Sequence, residues 1–566
     1  MERYPDWPNL AAMMFDRART WSARPMLRAF RDGAWQTTTW GEFGRLAASA
    51  ARHLRQAGIG PGDRVLIVSE NRPEIPIIET ALMAIRAVPV PAYTTYTVAD
   101  HAHVLRDCGA RAAVVSSAEF AGRVAQAGPL DLLVTMEPFS APGLNVIAFD
   151  SLTGDALPPD DVSAEAALIP GGGMSCLIYT SGTGGEPKGV MTPHRAILSN
   201  CRGAFELIQM IGWTAGQEVY LSYLPLSHSY EHTVGQFFML SIGGEVVFSR
   251  GVENLAADIL AVRPTIMTMV PRVLEVIRGR ILGQLTRQPG WKQALFRRAV
   301  ELGEKKLDGE ALSLSERVQD WVLDRMVRAK VAERFGGRMR VAISGGARLE
   351  PEVGRFFIAL GVHLLQGYGQ TEAGPVIAAN RPDRVKIDTV GPPLTGVEVR
   401  IAEDGEILVR GDLVMDGYWG RPEETAQVIR DGWLHTGDIG EQDADGYIRI
   451  TDRKKDMIVL SGGENVSPAK IEGMLMAEPA IAQAVVVGDG RAGLTALVVA
   501  SEGFDDVAVA VGVTEVNQRL SVSERIRKHA LVEAFTVDNG LLTPTQKIRR
   551  MLVIRANTEI LAKLQR

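Results

Sequence analysis

Between Tyr179 and His194 the chain reads YTSGTGGEPKGVMTPH. A backbone this rich in glycine can turn several N–H groups toward one point, forming a cradle for anionic oxygens. Gly182, Gly184 and Gly185 supply the freedom, Thr180, Ser181 and Thr183 add hydroxyls, and Lys188 adds a mobile positive charge. By composition this is a phosphate loop. It is not a Walker A loop, because Pro187 stands where the second glycine belongs and Gly189 where the magnesium-binding hydroxyl belongs. A glycine-rich connector between a strand and a helix has the same composition, so on these residues alone the two readings divide evenly.

Further stretches carry chemistry of their own. VAISGGA, 341 to 347, reads as a strand running into Gly345, Gly346 and Ala347, where bare backbone can approach a flat ligand or simply turn. QGYGQTEAG, 366 to 374, sets Tyr368 between Gly367 and Gly369 as a flat surface for a purine. Thr371 then offers a hydroxyl and Glu372 a hard oxygen suited to Mg²⁺. In GWLHTGDIG, 432 to 440, Asp438 can accept both hydroxyls of a ribose, or can be a turn aspartate. DRKKDM, 452 to 457, reads on its own as a solvated charge run, and SGGENVSP, 461 to 468, as a helix start with Ser467 as cap and Pro468 in the first turn. LTPTQKIR, 542 to 549, contributes Lys547. His228, Glu231 and His232 fit H-x-x-E-H; on a helix the two histidines would share a face and could take zinc, with Glu231 as base. That five-residue pattern has no independent support and arises readily by chance.

Taken in order, seven of these stretches resemble the adenylate-forming enzymes, the superfamily of acyl-CoA synthetases, luciferases and peptide-synthetase adenylation domains. The likeness runs from the phosphate loop to Lys547 and is weakest before residue 60. One departure is Gly184, where the family's usual loop has threonine. LPLSHSYEH, VPRVLEV and DRKKDMIVLSGGENVSP bring the chain nearest to the long-chain fatty acyl branch of the AMP-forming acyl-CoA synthetases.

The resemblance implies roles. Ser181, Gly182, Thr183, Gly184 and Lys188 hold the leaving phosphates, Gly345 to Ala347 and Gly367 to Gly369 flank adenine, and Thr371 meets a phosphate. Glu372 holds magnesium, and Asp438 and Arg453 reach the ribose. His228 and Gly369 edge the acyl pocket. Gly462, Gly463 and Glu464 line the path of CoA, Lys455 is a hinge, and Lys547 is the C-terminal catalytic lysine, acting with Thr183 and Glu372. The substrates implied are ATP, a carboxylic acid and CoA, with Mg²⁺. A short-chain or aromatic acid, or a carrier protein as acceptor, is the alternative inside the family. A non-catalytic binding module is disfavoured by Lys188, Glu372 and Lys547 occurring together.

These residues need elements to position them. Thr39 and Glu42 form a capping box, and Gly58 sits where that helix should stop. Short unbroken apolar runs at 65 to 68, 88 to 90 and 112 to 115 alternate with helical stretches at 75 to 85 and 101 to 106, which predicts a parallel sheet covered on both faces. Residues 1 to 38 read as an irregular lead-in with a helix or two, and 154 to 173 as a connector. Residues 273 to 335 are charged and helical, and 397 to 409 form a hairpin about Asp404-Gly405. The fold expected is α/β. The resemblance implies the rest: an N-terminal domain, 1 to 451, with two doubly wound sheets and a distorted β-barrel, followed by a small mobile α+β domain, 452 to 566.

The chain has 566 residues, 46% hydrophobic and 23% charged, enough for more than one core. A net charge of −6 gives no footprint for nucleic acid. Three sparsely placed cysteines suit a reducing cytoplasm, and no apolar run is long enough to span a bilayer. Peripheral contact with the inner membrane face, and a homodimer, are left open by composition.

Overall fold

The computed structural model describes residues 3–154, 157–180, 186–462, 464–543 and 547–564. The predicted capping box is present: the Glu42 N–H donates to Thr39 Oγ1 at 3.3 Å and the Thr39 N–H to Glu42 Oε2 at 2.7 Å. It starts the helix Trp40–Gln56, whose buried Phe43, Ala47, Ala51 and Leu54 repeat at helical spacing. The strands Val88–Ala92, Arg64–Val68, Ala112–Val115, Leu132–Thr135 and Asn145–Ala148 then pair in that order, all parallel. The first four are apolar without alternation because both faces are covered.

A second sheet has eight strands. Six run parallel, in the order Leu364–Gly369, Val341–Ser344, Ile266–Met269, Val219–Ser222, Glu245–Phe248 and Pro25–Arg31. Val376–Ala379 and Ala34–Thr39 close its two edges antiparallel. The residues at 345 to 346 and 367 to 369 therefore lie at the carboxyl ends of neighbouring strands, where open α/β sheets bind ligands. A five-stranded antiparallel sheet follows, made of Glu398–Ile401, Glu406–Arg410, Ile429–Arg430, Trp433–Gln442 and Ile448–Arg453. The last unit has its own core, in which Ile471, Leu475, Val486, Leu494 and Val513 pack between two helices and the sheet Ile481–Val487, Leu494–Ala500, Ile526–Leu531.

Three local expectations change. The lead-in is more regular than expected, with a helix Leu10–Thr20 followed by the hairpin Pro25–Arg31 and Ala34–Thr39. The connector holds a helix, Asp160–Ala166, with Val162 and Ala166 buried. The glycine-rich loop does not join a strand to a helix. It joins Met174–Thr180 to an antiparallel partner, Lys188–Pro193, and only then does the helix His194–Gln209 begin.

Candidate active site

A cavity of about 680 Å³ opens where the carboxyl ends of the large sheet meet the antiparallel sheet and the last unit. Lys188, His228, Gly345, Gly346, Gly367, Tyr368, Gly369, Thr371, Glu372, Arg453, Lys455 and Lys547 all line it. They come from segments up to 359 residues apart in sequence, since Lys188 and Lys547 bound the set. Asp438 stands one bond behind the wall, taking the Tyr368 hydroxyl at 2.6 Å and Arg453 Nε at 2.9 Å. Ala347, Gly462 and Glu464 are outside the lining. Ser181, Gly182, Thr183, Gly184 and Gly463 lie outside the described residues.

One end of the cavity is charged. Lys547, Lys455 and Arg453 converge with Glu372 and Asp438. Crowding by protein, and then the Arg453 charge, push the Lys547 ammonium down to about 8, while Asp438 and Glu372 pull the other way. The side chain is still open to the water of the cavity, which moderates the shift. Lys455 is lowered too, by burial and by Arg453. Lys188 forms an ion pair with Glu424 and lies 4.9 Å from the centre of the Tyr418 ring. The Tyr418 hydroxyl donates to Glu372 Oε1 at 2.8 Å, which leaves Oε2 without a protein partner among the described residues.

At the turn into the apolar end sits His228. Its Nδ1 accepts the Tyr230 N–H at 3.1 Å, so the neutral ring carries its proton on Nε2. Burial, and then Lys547, push its basicity down to about 3 and keep it neutral near pH 7. The Ser229 and Thr371 hydroxyls are 2.9 Å apart. Tyr230 donates to the Ile343 carbonyl at 2.9 Å and lays its ring on Gly345, where a Cβ would stand 2.9 Å from a ring carbon; glycine is needed for that approach. Beyond His228 the walls are aliphatic: Leu207 and Ile208 from the end of one helix and Ile211 from the turn after it, Val234 from the next helix, and Ile266 and Val341 from the start of their strands. Val341 to Gly345 spans four residues, roughly 13 Å of strand.

The H-x-x-E-H residues diverge. His228 precedes the helical turn, and Glu231–Phe238 is wound as a π-helix. Glu231 points into the sheet, where Tyr220, Ser222 and Thr268 donate to it at 2.7 to 2.8 Å. His232 turns to Glu79 at 3.0 Å. Among the described residues no group of three or more His, Cys, Asp or Glu is arranged to hold a metal.

Sequence reasoning missed Tyr418, Glu424 and the aliphatic face of His194–Gln209. Tyr418 reaches the site by pairing with Val190 in a strand formed across more than 200 residues, and no local spacing signals that. The helix face is no easier to find, because a core face and a pocket face have the same apolar pattern.

Comparison with known proteins agrees with this architecture. The AMP-binding enzyme model matches residues 15–419, and the model of the AMP-binding enzyme C-terminal domain matches 455–562. The long-chain-fatty-acid–CoA ligase FadD15 of Mycobacterium tuberculosis is 33% identical over 96% of this chain and 95% of its own. The peroxisomal long chain acyl-CoA synthetase 6 of Arabidopsis thaliana is 29% identical over 97% of this chain and 85% of its own. Among solved structures, an anthranilate CoA ligase bound to anthranoyl-AMP superposes with a TM-score of 0.77 at 20% identity, covering 99% of each chain. ATP-bound MatB from Rhodopseudomonas palustris does so at 0.73 and 24%, covering 98% of this chain and 100% of that one. With both family models matched in order along one chain, the protein belongs to the AMP-binding enzyme family and is an AMP-forming acid–thiol ligase.

Proposed function

We propose that the enzyme activates a medium- or long-chain fatty acid and hands it to CoA. ATP, Mg²⁺ and CoA are the reagents of this ligase class. The observation behind the choice of acid is the aliphatic end of the cavity, which runs from His228 along the sheet to Ile266 and Val341. A wall of aliphatic side chains offers a longer acid nothing but apolar burial, at about 0.8 kcal/mol per methylene.

A carboxylate is a poor acyl donor, so one of its oxygens must be turned into a leaving group. In our reading the acid's oxygen attacks the α-phosphorus of ATP and pyrophosphate departs. Neutral His228 can donate from Nε2 to orient the carboxylate, and Lys547 bridges carboxylate and α-phosphate as charge builds. Lys188, with Ser181 and Thr183, takes the departing phosphates. Glu424 then loses its lysine, and Arg421 at 3.3 Å is the cation left to it. Glu372 Oε2 fits a magnesium ion, which commonly takes one or two carboxylates and completes its shell with phosphate and water, and the Thr371 hydroxyl is left for a phosphate. Bound there, magnesium would neutralise phosphate charge. Asp438 keeps a lone pair on each oxygen for the ribose diol, beyond those used by Tyr368 and Arg453.

The thiol of CoA then attacks the acyl carbonyl and AMP leaves. We assign residues 452–566 to a unit that turns about Lys455, withdrawing Lys547 and bringing Gly462 to Glu464 to the cavity. Supporting this, Lys547 lines the cavity while Gly462 and Glu464 do not, an arrangement suited to the first step. The three cysteines are free and buried, in keeping with a cytoplasmic enzyme.

The test is formation of AMP and thioester with ATP, Mg²⁺ and CoA, across acids from acetate to palmitate. Both products rising together, best with long chains, supports the reading. A short or aromatic optimum overturns the choice of acid, and AMP without thioester overturns CoA as acceptor.

A further inference from the structure

Between the strands Ile266–Met269 and Val341–Ser344 the chain makes a long helical excursion, through Pro271–Leu285, Gly290–Leu307, Leu314–Leu323 and Ala329–Arg334. A Ser313/Glu316 capping box starts the third of these helices. At about 100° per residue, Glu316, Gln319, Asp320 and Leu323 fall on one face of it and Leu314, Val318 and Trp321 on the opposite one. The first face is occupied. Glu316 takes Lys305 at 2.8 Å, Gln319 takes Arg298 at 3.0 Å, Asp320 takes Lys306 at 2.8 Å, and Leu323 packs with Ala299 and Leu302. The second face is bare: Leu314, Val318 and Trp321 are 82%, 66% and 59% exposed. Three large apolar side chains at i, i+4 and i+7 facing water form a stripe, which scattered surface residues do not.

Charge says what would cover the stripe. Residues 271 to 334 hold 14 Lys and Arg against nine Asp and Glu, an excess of +5 inside a chain of net −6. Much of the acid is already engaged, Glu275 with Arg272, Glu301 and Glu316 with Arg298, and Asp320 with Lys306 and Arg328. Arg280, Arg287, Lys292, Arg317, Arg325 and Lys330 form no ion pair among the described residues. Arg325 lies 3.8 Å from the centre of the Trp321 ring, placing a cation at the edge of the stripe.

We propose that the Leu314–Val318–Trp321 face docks in the plane of an anionic lipid surface. An apolar stripe carrying tryptophan and edged by arginine is the composition that settles at a lipid interface, with the cations on the headgroups. A second copy of this chain would set the same unpaired cations against each other. A nucleic acid would use the charge but leave Leu314 and Val318 uncovered. No helix among the described residues is long and apolar enough to cross a membrane, so the contact lies in the surface plane. The docking takes its purpose from the fatty-acid reading, since such acids partition into lipid, but its test is read without turnover, so failure of either can be told from the other.

The experiment is co-sedimentation of the full chain with phosphatidylcholine vesicles, with and without phosphatidylglycerol. The protein should follow the anionic vesicles on the order of tenfold better and be released by added salt. Trp321→Glu, Val318→Glu and the pair Arg317→Glu with Arg325→Glu should each weaken partitioning by about tenfold, with unchanged melting temperature. Wild-type protein left in the supernatant with both vesicles overturns the proposal. So do folded variants that bind like wild type, or a wild-type dimer that Trp321→Glu turns into a monomer.

Discussion

The hydroxyl of Tyr418 donates to Glu372 at 2.8 Å, and the face of the same ring lies 4.9 Å from the ammonium of Lys188. One side chain thus touches both the lysine assigned to the phosphates and the carboxylate assigned to magnesium. The backbone holds it there, because Tyr418 pairs with Val190 two residues from Lys188. Tyr418→Phe removes the bond to Glu372 and keeps the ring. It should raise the Mg²⁺ concentration for half-maximal adenylation by roughly tenfold or more, the worth of one hydrogen bond to a charged group, and leave the KM for ATP nearly unchanged. Tyr418→Leu also loses the ring and should raise the KM for ATP. Glu372→Gln should move the magnesium profile further than either. If Glu372→Gln leaves that profile alone, Glu372 is not the metal ligand; if only Tyr418→Phe leaves it alone, Tyr418 does not position it.

Lys547 is assigned to the first step alone. Lys547→Ala should slow adenylation by about 10²-fold or more, yet spare thioester formation from supplied acyl adenylate. Equal loss in the two half-reactions would falsify the two-arrangement reading. The ammonium is pushed down to about 8, so its charge disappears as pH rises through that value. Adenylation should therefore decline above pH 8 while the thioester step does not follow the same curve. Lys547→Arg keeps its charge at high pH, and its residual activity should show no such decline.

The depth of the aliphatic end sets the next expectation. Val341 begins its strand, four residues before Gly345, and lines the cavity at that aliphatic end. Val341→Phe should fill that end and lower kcat/KM for the longest acids by tenfold or more, at about 1.4 kcal/mol per decade. Short acids should keep theirs. Overpacking costs about 1–3 kcal/mol, so a melting curve must accompany the assay. A uniform loss over all acids would mean that Val341 does not meet the chain.

These tests depend on groupings that were unequally visible in the sequence. Thr39 with Glu42 and Ser467 with Pro468 announced their helices, because caps are local chemistry. Asp438 and Arg453 could be named from their motifs, and they pair across one hairpin. The partners that give the named residues their environment were not visible. Glu424 meets Lys188, and Tyr418 meets Glu372, only after strands distant in sequence have paired. The H-x-x-E-H pattern shows the reverse error. Its spacing suits a zinc helix, but the segment is wound as a π-helix from Glu231, and the burial of Glu231 under three hydroxyls uses the carboxylate for packing.

Glu231 gives a prediction about stability rather than turnover. It is fully buried, and burial pushes its carboxyl up to about 7 although Tyr220, Ser222 and Thr268 all donate to it. In the unfolded chain a glutamate titrates near ~4.3. Between those values the folded protein holds a proton that the unfolded chain has lost, so this residue favours the fold most at low pH. Its contribution falls as pH rises and is gone above about pH 7. Other carboxylates push the opposite way, so the residue must be isolated by difference. Glu231→Gln keeps the shape and cannot ionise, and the hydroxyls can turn to accept from its amide. The gap in melting temperature between wild type and Glu231→Gln should therefore shift in favour of the variant as pH rises from 5 to 8. A gap that stays constant over that range would mean that the carboxylate is ionised throughout, held by its three donors against the cost of burial.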